Sequence, residues 1–323
     1  MRLFALTFGG PESASTQYRL LQYADLFAAA GIEFGYAPVA GFADFASLAN
    51  ADVVVLQKTL VSGSKFRRIR QHARRLVYDA DDLIWLSPTK EHHWWTQWRI
   101  ELRLRRIVRA ADTSIAANEV IADALRARGA APLVIPMSVD GTKWTDAPKP
   151  AVPVTVGWSG SPKNLPFLRA ILPAMRAAQE RCPTARWMIH CGQEPALEGL
   201  RYTHVPFVPG EEPSVVRQFH VGLLPLPDEP FARGKSPIKA LQYFASRVAV
   251  AGAPVGATRE MLRHEENAVL VETPEAWAKT IIELLEDEPR RNRLAAAARR
   301  TFETDYEAPV VFARLRRALM EGR

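Results

Sequence analysis

The strongest constraint on the fold is that short apolar runs alternate with amphipathic helical patterns along most of the chain. In the first half, the patterning predicts strands over residues 3–8, 32–38, 51–56, 75–78, 113–116 and 133–135. It predicts helices between most of these strands, over residues 16–30, 65–74, 91–111 and 120–128. Such alternation, with short Gly and Pro punctuation, is typical of a doubly wound parallel sheet. The first half is therefore predicted to be a Rossmann-like α/β domain.

A polar, Pro-rich stretch over residues 140–150 is the best predicted linker, and the alternating pattern restarts directly after it. Strands are predicted over 152–158, 185–191, 221–225, 248–251 and 268–271, and helices over 165–181, 237–244, 274–285 and 289–302. The predicted domains are 1–143 and 151–304, and a last segment over 305–323 carries an amphipathic helix that packs back onto the first domain. Two such domains predict a ligand cleft at the carboxyl ends of both sheets.

Composition narrows the classes of possible partner and the compartment, but it does not identify a function. The chain has 323 residues and a formal net charge of +7, which favours nucleic acid, phospholipid headgroups or a phosphorylated substrate as partners. Arginine enrichment from a GC-rich genome is an equally good account of this excess. Two cysteines are too few for a disulfide framework and indicate a reducing compartment. With no leader pattern and no apolar run of membrane-spanning length, a cytoplasmic location is predicted.

The strongest candidate anion site is a cationic motif before the helix predicted at 237–244. The motif comprises Arg233, Gly234, Lys235, Ser236, Pro237, Ile238 and Lys239. Ser236 is a good N-cap and Pro237 suits the first helical position, so free backbone N–H groups would face an anion. Lys235 adds a point charge, Arg233 can bind two phosphate oxygens, and Gly234 permits close approach of the backbone. The alternative is a capped helix whose cations are solvated.

The loop after the first predicted strand contains Gly9 and Gly10, which permit close approach of a ligand to the backbone. Because a third glycine is absent, the loop is not a dinucleotide fingerprint. Arg19, on the helix that follows, is a candidate contact for a phosphate or a second substrate. As a lone helical arginine, it is equally well explained as a solvated side chain.

Three carboxylates, Asp79, Asp81 and Asp82, follow the strand predicted at 75–78. Crowded carboxylates at the carboxyl end of a strand suit either a metal ion or the orientation of a substrate hydroxyl. Mutual repulsion is expected to raise the pKa of at least one of them, which helps it to accept a proton. Capping of a following helix by Asp81 or Asp82 is the structural alternative. No histidine pair, including His92 and His93, has metal-ligand spacing.

The helix predicted at 91–111 combines tryptophans with arginines. One apolar stripe suited to the core is formed by Ile100, Leu104, Ile107, Val108 and Ala111. Trp95, Trp98 and Leu102 fall on another side, with arginines nearby, which suits contact with an anionic membrane or a lipid-linked substrate. Burial of the tryptophans in the core or in a substrate-binding wall, with a solvated arginine face, is the alternative.

Several segments resemble one known family. These are residues 152–161, 223–245 and 248–251 with Gly256 and Glu260 in the second half, and Tyr18, Arg19 and residues 79–85 in the first. They are similar to the "group 1" retaining glycosyltransferases, and the resemblance covers nearly the whole chain. It implies the GT-B fold, with two Rossmann-like domains, and sugar transfer from a UDP- or GDP-linked donor. It also implies that neither a metal ion nor another cofactor is needed.

The resemblance also assigns roles to individual residues. Lys235 and Arg233 would stabilise the departing nucleoside diphosphate, with Gly160, Ser161, Lys163, Gly234, Ser236 and Lys239 around the donor phosphates. Gln242 stands where many members have a glutamate that contacts the donor ribose, and Gly234 stands where they have a second glutamate. Asp81 and Asp82 would orient the acceptor hydroxyl, with Gly9, Gly10, Arg19 and Asp79 on the acceptor side. Ser161 is also a candidate cap for the next helix.

The expected partners are a nucleotide-sugar donor and a glycan or lipid-linked acceptor, with peripheral contact to the inner face of a membrane and no nucleic acid. Two other functions remain open: a sugar-nucleotide epimerase of the same fold, and a basic nucleic-acid-binding module without enzymatic activity.

Overall fold

The computed structural model of the chain describes residues 1–86, 93–144 and 149–321. In chain order the strands are β1 (Arg2–Thr7), β2 (Glu33–Pro38), β3 (Val53–Gln57), β4 (Leu76–Ala80), β5 (Thr113–Ala116), β6 (Leu133–Val134), β7 (Thr155–Ser159), β8 (Arg186–Cys191), β9 (Thr203–Pro206), β10 (Val221–Leu224), β11 (Ala249–Gly252) and β12 (Val269–Leu270).

The α-helices are α1 (Ala14–Arg19), α2 (Ala24–Ala29), α3 (Gly63–His72), α4 (Trp94–Ala110), α5 (Glu119–Arg126), α6 (Leu165–Ala170), α7 (Leu172–Arg181), α8 (Glu212–Val216), α9 (Pro230–Arg233), α10 (Ile238–Ala245), α11 (Ala257–Met261), α12 (Ala276–Glu286), α13 (Glu288–Thr301) and α14 (Ala308–Glu321). Short 3-10 turns cover Leu21–Tyr23, Phe45–Asn50, Gly141–Lys143 and Pro162–Asn164, and a π-helical turn covers Phe302–Tyr306.

The strands form two six-stranded sheets, with strand orders β2-β1-β3-β4-β5-β6 and β12-β11-β10-β7-β8-β9. Every strand pair within them is parallel. In each sheet the first strand in sequence lies inside the sheet, so the chain winds outward in both directions from it. This is the doubly wound arrangement that the alternating pattern predicts, and it confirms the two Rossmann-like sheets.

The chain divides into two compact units. Unit 1 contains residues 1–138, 230–236 and 308–323, and unit 2 contains residues 139–229 and 237–307. The segment 230–236 therefore belongs to unit 1, although the sequence placed it in the carboxyl-terminal domain. The described residues of the predicted linker, 140–144 and 149–150, all belong to unit 2, and residues 145–148 lie outside the described part.

Helix α14 packs against the first sheet, as the fold prediction required. Its residues Val311, Phe312 and Leu315 are buried in one core with side chains from β1, β3 and α2. The ring centroids of Phe27 and Phe312 lie 5.1 Å apart in an edge-on arrangement. Arg75, at the start of the fourth strand, donates hydrogen bonds to the last carbonyls of the helix, including Leu319 O at 2.7 Å. Unit 1 thus closes its core with a helix from the far end of the chain.

Two predicted helices are each broken into two. The helix predicted at 16–30 leaves helical geometry at Leu20, where φ is −135° and ψ is −55°, and a 3-10 turn then leads into α2. The break allows Leu20, Tyr23 and Phe27 all to enter the core of unit 1. The helix predicted at 165–181 is interrupted at Ile171, where α7 begins with a proline in its first turn. Proline has no N–H to continue the ladder of the preceding turn.

The short elements β9, α8 and α11 of unit 2 were not predicted, because their sequences show no clear apolar period. Strand β9 lies at the sheet edge, is only partly buried and contains no apolar run, so its sequence does not alternate clearly. Helices α8 and α11 are five residues each, shorter than a periodic pattern needs.

Within residues 1–86, 93–144 and 149–321, none of the helices combines the length and apolar character that crossing a membrane requires.

Candidate functional site

The loop after β1 is held in place by a buried glutamine at the end of β3. Phe8 N donates to Gln57 Oε1 over 3.1 Å, and Gln57 Nε2 donates to the carbonyl of Ser15 over 3.0 Å. The Gly9 carbonyl accepts from Thr16 Oγ1 and Gly10 N donates to Glu12 Oε1. The loop with Gly9 and Gly10 therefore lies at the carboxyl edge of the first sheet in one defined conformation.

Lys58 lies between two carboxylates at the same sheet edge. Its Nζ is 3.5 Å from Asp81 Oδ1 and 3.4 Å from Asp82 Oδ2, and it donates to Ser15 Oγ over 3.0 Å. Lys58 has a φ of +49°, a left-handed conformation that is costly for a residue with a side chain and is frequent at functional sites. The backbone thus directs a cation onto the acidic edge.

Asp82 is the carboxylate of this edge that is best suited to accept a proton. Burial raises its pKa and the negative charge of Asp81 acts in the same direction, while Lys58 opposes both. Asp82 Oδ1 accepts from the N–H of Leu83, and Asp81 Oδ1 makes no hydrogen bond with any part of the chain that the structure describes. No described helix begins at Asp81 or Asp82, so the capping alternative is not supported there.

Arg19 and Asp79 form a buried ion pair. Arg19 Nη2 lies 2.7 Å from Asp79 Oδ1 and Arg19 Nε lies 2.8 Å from Asp79 Oδ2, which makes the pair bidentate. Arg19 Nη1 also donates to the carbonyls of Ile135 and Pro136. The prediction of a solvated Arg19 is wrong, because its side chain is 2% exposed. The acceptor-side role of these two residues stays a prediction, and the pair also fastens α1 to β4.

The segment 230–236 packs against the acidic edge of unit 1. Ser236 Oγ donates to the backbone carbonyl of Asp81 over 2.8 Å, and Asn118 Nδ2 donates to the Gly234 carbonyl over 3.2 Å. The prediction that Ser236 caps the next helix is wrong. Helix α10 begins at Ile238, Pro237 occupies the cap position, and no side chain caps it. The Ser236 hydroxyl donates to the carbonyl of Asp81, which is distant in sequence, and therefore does not cap α10.

Gly234 is required by close packing. A Cβ at this position would overlap the side chain of Leu83, which follows Asp82 directly. The sequence predicted close approach of the Gly234 backbone to a ligand; in unit 1 the close approach is to Leu83.

Lys235 and Arg233 are the cations of this segment. Lys235 is half-buried, and its Nζ lies 5.2 Å from the ring centroid of Phe231. Burial lowers the pKa of Lys235, and the charge of Asp82 opposes this shift. Arg233, at the end of α9, is exposed. The cationic residues predicted to assist the leaving group therefore lie in the same unit as Asp81 and Asp82.

A second cluster of polar residues lies at the carboxyl edge of the sheet in unit 2. Lys239 Nζ donates to Gln242 Oε1 over 2.9 Å and to Ser159 Oγ over 3.2 Å. Ser159 Oγ is 3.1 Å from His190 Nδ1 at the end of β8. The alternative that Gln242 is an ordinary surface glutamine is wrong, since the side chain is 1% exposed. Gln242 instead holds Lys239 in place.

The ionisable groups of this cluster are shifted towards their neutral forms. Burial lowers the pKa of His190 to about 4, and the neighbouring Lys239 adds to the shift. Burial lowers the pKa of Lys239 to about 8, opposed by Glu212. His190 Nε2 makes no hydrogen bond within the described residues. At neutral pH, His190 is uncharged and Lys239 carries the positive charge.

The turn after β7 holds the other predicted phosphate ligands. Lys163 is exposed within the 3-10 turn Pro162–Asn164, and Ser161 precedes it without making a capping hydrogen bond. Gly160 N donates to the carbonyl of His190 over 3.0 Å, and a Cβ at Gly160 would overlap the ring of Trp158. Across residues 1–86, 93–144 and 149–321, no group of three or more His, Cys, Asp or Glu side chains is arranged to hold a metal ion.

Comparison with known families identifies the region that contains this second cluster. The sequence profile described as "Glycosyl transferases group 1" matches residues 153–287. These residues form a group 1 glycosyltransferase domain. The domain includes Lys163, His190, Lys235, Lys239 and Gln242.

Solved structures place the whole chain in the GT-B fold. Sucrose-phosphate synthase from Thermosynechococcus elongatus has a TM-score of 0.74 at 16% identity, over 100% of this chain and 99% of its own. Anabaena HepE in complex with UDP has a TM-score of 0.71 at 15% identity, over 99% of each chain. The lipopolysaccharide outer core galactosyltransferase WaaB has a TM-score of 0.64 at 12% identity, over 100% of each chain. No curated protein sequence matches the chain.

Sequence reasoning missed several residues of the two clusters, among them Gln57, Lys58 and His190. Lys58 and Gln57 directly follow the run predicted as a strand at 51–56, and His190 is the penultimate residue of the run predicted at 185–191. In parallel sheets of this class, ligand-binding residues lie at the carboxyl ends of strands. Their position at the carboxyl ends of predicted strands was therefore the signal that could have identified these residues, both in the amino-terminal unit and in the glycosyltransferase domain.

Proposed function

We propose that the protein is a retaining glycosyltransferase that moves a sugar from a nucleoside-diphosphate sugar to an acceptor hydroxyl without a metal ion. The observation that carries the proposal is the family match over residues 153–287, because that segment contains Lys163 and Lys235, two lysines that the family resemblance assigns to the donor diphosphate. The donor is UDP- or GDP-linked. HepE is described in complexes with UDP, with UDP and glucose, and with UDP-glucose, which favours UDP.

The main demand of this reaction is the stabilisation of negative charge on the departing diphosphate. Lys235, Arg233 and Lys163 are three cations that suit this task, and the lowered pKa of Lys235 reflects a partly desolvated position where a charge acts more strongly. The amino-terminal N–H groups of α10 add partial positive charge. The Lys239–Gln242 pair supports the donor ribose through the amide of Gln242.

In the retaining reaction the bond between the anomeric carbon and the diphosphate oxygen breaks, and the acceptor oxygen forms its bond on the same face of the sugar. The acceptor proton passes to an oxygen of the departing diphosphate. Asp81 and Asp82 orient the acceptor hydroxyl, with Lys58 holding both carboxylates. The acceptor is a glycan or a lipid-linked sugar, and the protein acts in the cytoplasm or at the inner face of a membrane.

The first experiment is a thermal-shift series with UDP-glucose, GDP-mannose, the free nucleotides and an oligonucleotide. A nucleotide sugar that binds only the native state raises the melting temperature, and the ligand at 100 times its Kd adds about 2.7 kcal/mol. Stabilisation by oligonucleotides instead of nucleotide sugars would support a nucleic-acid-binding module. Isomerised sugar nucleotide formed without acceptor would support an epimerase.

The second experiment replaces Lys235. Lys235→Ala is expected to lower kcat for donor hydrolysis or transfer by about 100-fold or more, the cost of removing one preorganised charge from a developing anion. Lys279→Ala, which removes an exposed lysine from α12 of unit 2, is the matched control. Turnover by Lys235→Ala at the rate of this control would remove Lys235 from the mechanism.

A further inference from the structure

Helix α4 presents an unusual apolar surface, here termed the tryptophan face and defined as Trp94, Trp95, Trp98 and Leu102. These side chains are 61%, 53%, 53% and 40% exposed. Large apolar side chains are scattered singly on ordinary surfaces, whereas a contiguous patch marks a site of interaction. The sequence left open whether these tryptophans are buried in the core. In the structure they are not, because all three rings face outward.

The tryptophan face lies on a different side of the helix from the buried stripe. Leu104, Ile107 and Val108 are buried and hold α4 to unit 1. At 100° per residue, Trp94, Trp98 and Leu102 fall at i, i+4 and i+8, so they form one row about 12 Å long. The helix is therefore anchored through one side and offers the other to the surroundings.

The rings on this face are ordered against each other. Trp94 and Trp95 stack with ring centroids 4.0 Å apart, and Trp95 and Trp98 meet edge-on at 5.8 Å. Packed aromatic rings lose less conformational freedom on docking than separate flexible side chains do. The surface is preorganised for contact.

Cations continue the same face towards the carboxyl end of α4. Arg105 and Arg109 are exposed there, roughly in line with Trp94 and Trp98 at the helical period. The one acidic residue of this helix, Glu101, is engaged by Arg105 Nε at 2.6 Å and by Arg128 Nη2 at 2.8 Å. Helix α3, which packs beside α4, contains no acidic residue that would offset these cations.

We propose that the tryptophan face docks on an anionic phospholipid bilayer, with the indole rings at the headgroup level and the arginines on lipid phosphates. Tryptophan prefers the membrane–water interface because its ring is apolar and its N–H is polar, and basic residues add attraction to anionic lipid. The location proposed above at the inner face of a membrane thereby gains a defined contact surface. The docking itself does not depend on the transfer reaction.

Two other partners fit less well. Single-stranded nucleic acid stacks its bases on open ring faces, and here Trp94 and Trp95 already cover one face of each other. A protein partner would bury a surface of at least several hundred Å² with paired charges, whereas on this helix the arginines outnumber the one carboxylate, that of Glu101.

The experiment measures co-sedimentation of the full chain with phosphatidylglycerol vesicles and with phosphatidylcholine vesicles. Binding to phosphatidylglycerol is expected to weaken as salt rises, and Trp94→Ala/Trp95→Ala/Trp98→Ala is expected to weaken it about tenfold or more. The bound protein should show blue-shifted tryptophan fluorescence, and that shift should be lost in the triple variant. An unchanged melting temperature and unchanged nucleotide-sugar binding will show that the triple variant is folded and separate this test from that of the enzyme.

Two double variants, each of which removes two exposed arginines, provide the matched control. Arg105→Gln/Arg109→Gln should weaken binding to phosphatidylglycerol, while Arg316→Gln/Arg317→Gln, which removes the same charge from exposed positions of α14, should leave it close to that of the unaltered chain. Equal weakening by both pairs would mean that net charge alone binds the lipid and would overturn the proposal. Vesicle binding unaffected by the triple tryptophan change, or binding to oligonucleotides but not vesicles, would overturn it as well.

Discussion

Ser236 Oγ donates a 2.8 Å hydrogen bond to the backbone carbonyl of Asp81. This contact joins the cationic segment 230–236 to the strand end that carries the carboxylates, so residues 155 positions apart in the sequence belong to one local structure. The proposed leaving-group cation, Lys235, is consequently adjacent in sequence to a residue fixed on the proposed acceptor-orienting edge. The predictions below concern this arrangement, the buried Arg19–Asp79 ion pair and the buried His190.

Gly234→Ala should destabilise the native state by about 1–3 kcal/mol, because the added Cβ overlaps Leu83 in a packed interior. The second change Leu83→Ala makes room for that methyl group. In the double variant the cost of Gly234→Ala should therefore be largely removed, as measured by urea unfolding of both single variants and the double variant. Strictly additive effects would show that Leu83 does not impose the glycine.

Arg19→Met should cost about 3–5 kcal/mol of folding free energy, since it leaves the buried Asp79 carboxylate without its bidentate partner. The control is Arg2→Met, which removes an ion pair with Glu33 whose side chains are 61% and 71% exposed. Exposed pairs of that kind contribute about 0–1 kcal/mol. Urea unfolding compares the two variants. If Arg19→Met were as stable as Arg2→Met but lacked turnover, Arg19 would have a direct role with the acceptor.

Asp82→Asn should lower kcat about 100-fold, because an amide accepts the hydrogen bond that orients the acceptor hydroxyl more weakly than a carboxylate does. The pH–rate profile tests whether the effect comes from the ionised form of Asp82. Because Lys58 opposes the raised pKa of Asp82, Lys58→Met should move the acid limb of the profile to higher pH. The exposed Asp25→Asn serves as the control. An acid limb that stays in place in Lys58→Met, together with full activity of Asp82→Asn, would exclude this carboxylate from the reaction.

His190 should make the native state less stable as pH falls from about 6.5 to about 4. Its folded-state pKa is lowered to about 4. In this range the unfolded chain binds a proton that the native state does not, so acidification favours unfolding. The contribution is up to about 3 kcal/mol over the full shift.

His190→Asn keeps a polar group near Ser159 Oγ and removes the titration, so its unfolding free energy should fall less between pH 6.5 and pH 4 than that of the unaltered chain. His93→Asn changes an exposed histidine and should follow the unaltered chain. Parallel pH profiles for all three proteins would contradict the assignment to His190.

Much of the fold follows from local patterning. Most predicted strands agree with the observed ones to within about two residues, because a buried parallel strand is a short apolar run bounded by turn residues. Helices were predicted at 16–30 and 165–181, but the break within each was not. The geometry at Leu20, for example, depends on which side chains enter the core of unit 1. Edge strand β9 has too little burial to leave an apolar run.

The sequence by itself determined two doubly wound units, a cationic motif before α10, and acidic residues at the end of β4, because strand burial and residue charge are local properties. Tertiary structure alone decided that Ser236 bonds to Asp81 instead of capping α10, that Arg19 is buried with Asp79, and that Lys58 joins Asp81 and Asp82. A hydroxyl or a charge can be satisfied by any suitable partner within reach. Only the folded chain determines which distant residue that partner is.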